Sequence, residues 1–109
     1  MAKADKKMTI LERNGEFVAE PPVHEMDGTA GNATFKLVNR TQEDILWVVT
    51  NTTLFQGGAF NEIINPKKLS GAKTIPNNPA AGVYEFTVLM MKSGVKVKGN
   101  SDPMIIIDT

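Results

Sequence analysis

The groups with the richest coordination and proton chemistry lie in one short stretch, His24-Glu25-Met26-Asp27, and in six methionines spread along the chain. An imidazole beside two carboxylates can bind a divalent cation or titrate as a pH-sensitive pair. Hard-cation binding needs more oxygen ligands than Glu25 and Asp27 offer, and His24, close after the Pro21-Pro22 break, is expected to be a surface histidine. Thioethers are soft ligands suited to copper(I). Met90 and Met91, however, are neighbours on an expected strand and point to opposite faces, so core packing by flexible side chains is their expected role. The chain has no cysteine, which removes disulfides, thiolate catalysis and Cys-based zinc or iron-sulfur sites. No nucleophile and base pair, phosphate-cradling loop or paired-carboxylate motif is visible. The expectation is therefore no catalytic residue, no cofactor, no dedicated metal site and no enzyme.

Two further stretches bear on binding. Gly57-Gly58 lies between Phe55 and Phe60, and a glycine pair lets a backbone approach a ligand while aromatics supply contact area. Phe55, Gly57, Gly58 and Phe60 thus form either a recognition loop or a structural loop that tucks both rings into the core. Near the end of the chain, Met104-Ile105-Ile106-Ile107 is too apolar for a strand exposed on one side. Met104, Ile106 and Asp108 should face one way, with Ile105 and Ile107 facing the other. The stretch is either covered within the monomer or an edge strand that mediates self-association or strand addition by a partner. Asn32-Ala33-Thr34, Asn39-Arg40-Thr41 and Asn51-Thr52-Thr53 match the glycosylation acceptor pattern, although asparagine at strand ends is mostly turn chemistry.

These residues must be positioned by strands. From Ala80 the chain alternates Tyr84, Phe86, Val88 and Met90 on one face against Glu85 and Thr87 on the other, the period of a long strand. Ser93-Gly94 then turns it into a hairpin whose return, Val95 and Val97, alternates with Lys96 and Lys98. Asp102-Pro103 precedes the last strand at Met104. At the other end, Asn14-Gly15 between Thr9–Arg13 and Glu16–Glu20 is the strongest hairpin signal, with a register that sets Arg13 opposite Glu16 and Leu11 opposite Val18. Pro21-Pro22 ends the second arm. Val23–Asp27 reads as a short strand, and Thr34–Asn39 as a strand burying Phe35 and Leu37. Ile45–Thr50, with Trp47, reads as a strand covered on both faces. Phe60–Ile64 reads as one helical turn before Pro66, Lys67–Ile75 as holding one short strand, and Pro76 to Pro79 as a rigid turn. Seven to nine strands with almost no helix predict an all-β, antiparallel Greek-key β-sandwich, with a partly open barrel as the alternative.

A chain of 109 residues makes one domain, expected over 8–109 behind a flexible tail at 1–7. Twelve basic side chains against twelve acidic argue against a general nucleic-acid binder, whose affinity rests on neutralising phosphates. No run is long enough for a membrane-spanning helix, and Met1–Lys7 has no apolar core after it. As written the chain reads as cytoplasmic, or as periplasmic or secreted if a leader has been removed.

The order of elements resembles the cupredoxin-like sandwich family over roughly Thr34 to Asp108. The likeness is carried by Phe35–Asn39 with its polar turn, by Ile45–Thr50, and above all by Ala-Gly-Val-Tyr-Glu-Phe-Thr-Val at Ala81–Val88. In copper-binding members a Gly-x-Tyr-x-Tyr/Phe-x strand leads to the cysteine ligand, with histidine and often methionine a few residues on. Here that position is Val88, and no histidine follows His24. The resemblance therefore implies the scaffold without its copper site; a similar Gly-x-Tyr-x-Phe strand also occurs in immunoglobulin-like sandwiches. The function expected is a non-catalytic module that binds a protein partner or itself. The alternative is a metal-handling protein on a degenerate cupredoxin scaffold, using His24 and exposed methionines.

Overall fold

A computed structural model describes residues 6–27, 33–76, 79–97 and 103–108. The expected tail before Lys6, the loop around Gly28 to Asn32, the Asn77-Asn78 turn and Lys98 lie outside them. Among these residues there are ten strands: β1 (Lys6–Arg13), β2 (Glu16–Glu20), β3 (Val23–Asp27), β4 (Thr34–Asn39), β5 (Ile45–Val49), β6 (Phe60–Ile64), β7 (Lys73–Thr74), β8 (Gly82–Glu85), β9 (Thr87–Met90) and β10 (Met104–Asp108). No described residue is helical.

One layer of the sandwich is the four-stranded sheet β2-β1-β4-β7. Its first hairpin has the expected register, with Arg13 opposite Glu16 and Leu11 opposite Val18. The turn is built from the two residues best able to take positive φ, Asn14 at 54° and Gly15 at 81°. The Arg13 guanidinium nevertheless reaches past Glu16 and forms a forked pair with Glu20. The strand starts at Lys6 rather than Met8, because Lys6 and Lys7 pair with Phe35 and Lys36 of β4.

The second layer consists of two three-stranded sheets, β3-β10-β8 and β6-β5-β9, joined by the single run 82–90. The alternation along that run is as the sequence predicts: Tyr84, Phe86, Val88 and Met90 are all buried. The strand itself is divided at Phe86, whose N–H donates to Pro103 O at 3.1 Å. Its first half pairs with β10 and its second with β5. Two pairings, β1 with β4 and β3 with β10, are parallel, so the sandwich is mixed rather than wholly antiparallel.

Ring contacts hold the layers together. Phe35 of the first layer meets Trp47, Phe55 and Phe86 at centroid distances of 5.9, 6.1 and 5.9 Å. Burying one such ring contributes roughly 1.5 to 3 kcal/mol from area alone. The β6 and β7 edges are closed by Lys73, which pairs with Glu62 and lies 4.3 Å over the Phe60 ring.

Three expectations are corrected by long-range pairing. Phe60–Ile64 is a strand, not a helical turn, because its backbone pairs with all five residues of β5. The return after Ser93-Gly94 is a single bridge, Leu89 to Lys96, with Val95 exposed, rather than a full hairpin arm. Ile45–Val49 buries Ile45, Trp47 and Val49 but leaves Leu46 and Val48 half-buried, so its outer side is not fully covered.

Candidate functional site

The residues singled out from the sequence do not converge. Phe55 is buried against Phe35 and Trp47. Phe60 is half-buried in β6, 5.0 Å from the Trp47 ring. Only Gly57 and Gly58 remain at the loop tip, with φ of 93° and 83°; the aromatic area serves the core, so the loop has no ring to offer a ligand. The loop's start is shaped by Asn51, whose Oδ1 accepts from Thr53 N, Thr53 Oγ1 and Leu54 N.

The proposed edge strand is not an edge. Met104, Ile105, Ile106 and Ile107 belong to β10, which lies between β3 and β8 and spends both backbone edges inside the sheet. The facing expected from the sequence does hold: Ile105 and Ile107 are buried, while Met104 and Ile106 are half-buried and Asp108 exposed.

His24 is buried at 8% exposure rather than lying on the surface. Alternation along β3 turns it inward and Glu25 outward. Its ring stands edge-on to Phe35 at 5.2 Å, and Nε2 has no hydrogen-bond partner among the described residues. Burial, and secondarily the charge of Lys6, hold its pKa below the usual histidine value. Met8, Met26 and Met90 are buried too, and Met91 is the large exposed one. No group of three or more His, Asp or Glu side chains that could hold a metal ion occurs among the described residues. Val88, at the position of the cysteine ligand implied by the resemblance, is buried in the apolar core. A hydrocarbon donates nothing to an ion, so the residues present do not fit copper.

What the sheets assemble instead is a face. On the outer side of the second layer, Ile106 stands opposite Val83. Further across, Leu46 stands between Ile63 and Leu89. Val83 is 61% exposed, Ile63 55% and Met91 46%, with Leu46, Val48, Leu89, Met104 and Ile106 half-buried beside them. The first layer's outer side is more mixed: Lys7 stands opposite Lys36 and Arg13 opposite Glu16, with Leu11 opposite Val18 between them and the exposed Leu69 bridged to Val38. A groove of about 1300 Å³ along β2 is lined by both signs of charge, with Arg13, Glu16, Glu20, Arg40 and Lys96 among its walls. No local period in the sequence distinguishes the two outer faces, because each strand contributes only one or two residues to the apolar one.

Solved structures similar to this chain match its fold along nearly its whole length. An oxidized methionine-to-lysine mutant of amicyanin matches with a TM-score of 0.60 and 12% identity, over 99% of this chain and 86% of that one. The reduced Cu(I) form at pH 4 of a proline-to-glycine mutant of amicyanin matches at 0.59 and 12%, with the same coverage. The fold is cupredoxin-like. At this identity the likeness extends to the cupredoxin scaffold and not to its chemistry. No family model matches the chain, and no curated protein matches it in sequence. No helix among the described residues is long and apolar enough to cross a membrane.

Proposed function

We propose that this cupredoxin-like chain is a non-catalytic binding or assembly module, and that its working surface is the outer face of the second layer. One observation carries the reading: large apolar side chains cluster across β5, β6, β8, β9 and β10 on one outer face, while the other mixes Lys7, Lys36, Arg13 and Glu16 with Leu11, Val18 and Leu69. Single exposed apolar residues are ordinary on proteins, whereas several large ones gathered on one face mark an interaction surface. Its rigid sheet backbone also suits recognition, since little order has to be gained on binding.

Photocrosslinking tests this. A photoreactive phenylalanine analogue placed at position 63 or 83 should give adducts in the native source, and one placed at position 36 on the first layer should not. Equal yields from the two layers, or adducts from position 36 alone, would remove the assignment.

A further inference from the structure

Resting on that reading, we infer that the occupant of the apolar face is a second copy of this chain, docked face to face about a two-fold axis crossing the strand break at Phe86. The break divides the face into two halves, Ile106 with Val83 on one side, where Glu25 stands at the β3 rim, and Leu89, Leu46 with Ile63 on the other. Between them is a polar cleft of about 280 Å³ whose walls include Glu85 and Lys96. Lys96 bridges Leu89 and so shares its outward face, as Glu85 does with Val83. Both are exposed, and neither forms an ion pair with another described residue.

A two-fold contact places each residue against residues from the other side of the axis. Glu85 of one copy then meets the partner's Lys96, Lys96 meets the partner's Glu85, and half covers half. A strongly acidic or basic partner would satisfy one of these two charges and strand the other, which costs free energy once the cleft is desolvated. A copy of the chain matches both. The formal net charge of zero sets no repulsion between copies. Principal extents of 38, 25 and 24 Å give the molecule faces commensurate with the ~800 Å² per partner of a standard interface.

Pairing through the β2 edge is guarded: antiparallel pairing of two β2 strands centred on Val18 would set Glu16 against the partner's Glu20.

Sedimentation of the full chain from about 1 to 200 µM is the test. The wild type should form a dimer. Val83→Lys, at an exposed position that leaves the core intact, should weaken it roughly tenfold or more. Glu85→Lys and Lys96→Glu should each weaken it, and the double charge reversal should restore it, with near-ultraviolet dichroism unchanged throughout. A restored double variant separates a charge pair across copies from two unrelated surface effects. A wild type that stays monomeric over the whole range overturns the inference, as does a dimer untouched by Val83→Lys. If crosslinks from positions 63 and 83 then fall on a different protein, self-docking has failed while the binding reading stands. If they fall on nothing, both have failed.

Discussion

Asn39 and His24 are both polar, both buried and both on inward faces of their strands, yet the fold treats them oppositely. Asn39, at 0% exposure, uses both ends of its amide. Its Nδ2 donates to Glu43 O at 2.8 Å and Ile64 O at 2.9 Å, and its Oδ1 accepts from Thr41 N and Thr41 Oγ1 at 2.9 and 2.7 Å. Its backbone adds bonds to Lys67 and Lys68. The side chain thereby ties the end of β4 to the following turn and to β6, and it cannot carry an oligosaccharide in the folded chain. His24 has an aromatic neighbour, Phe35, and an Nε2 with no partner among the described residues. A buried polar group with all its bonds made specifies one arrangement, whereas one left short is a cost that the rest of the fold offsets.

The largest effect is expected at Asn39. Asn39→Ala should lower stability by about 3 to 5 kcal/mol, because it orphans buried donors and acceptors on three segments at once. A loss below about 1 kcal/mol in a denaturant titration would mean the network is replaceable. Next in size is the acid response of the wild type. The pKa of His24 is held below 6.5 in the folded chain, so below that pH the unfolded chain binds the extra proton first. Stability from this site is complete above pH 6.5 and is lost as pH falls through the lowered folded value. Chemical denaturation across pH 5 to 8 reads the slope, most cleanly as the difference between wild type and His24→Phe, since carboxylates contribute their own at the acid end.

His24→Phe sharpens the contrast from the other side. With Nε2 gone and the ring contact kept, stability near pH 7 should move by about 1 kcal/mol or less and the slope assigned to His24 should vanish. A large loss would show that the imidazole has a partner worth keeping. The smallest expected effect is Lys6→Gln. It removes the secondary cause of the lowered pKa, and so should raise the His24 titration seen by NMR slightly while changing stability by only a few tenths of a kcal/mol. A downward shift would contradict the sign of the Lys6 contribution.

Legibility divided along the same line. The Asn51 turn and the inward Tyr84, Phe86, Val88 and Met90 were readable, since each rests on residues a few positions apart. The burial of His24 was not. Its neighbours along the chain, Glu25 and Pro22, look like surface, and what covers it is Phe35 from the other layer. The acceptor-like Asn39-Arg40-Thr41 carried a real signal of turn chemistry, but nothing local reveals that Ile64, 25 residues on, would take the second amide hydrogen. The apolar face was legible at Ile106, where three isoleucines in a row require two covered sides, and at Leu46 and Val48, in a strand apolar on both faces. Ile63, Val83 and Met91 each look unremarkable in their own strand.

By itself the sequence determined the strand-rich class, the Asn14-Gly15 hairpin with its register, and the inward side of the strands through Phe35 and through Tyr84. These follow from local φ/ψ preferences and from a period of two, and both are properties of neighbouring residues. Tertiary structure decided that 82–90 is shared between two sheets, that β10 is central, that Phe60–Ile64 is a strand, and that the two outer faces differ in character. Those outcomes depend on which strand lies beside which. Pairing order is set by the joint burial of side chains far apart in the chain, and no short window of sequence contains that information.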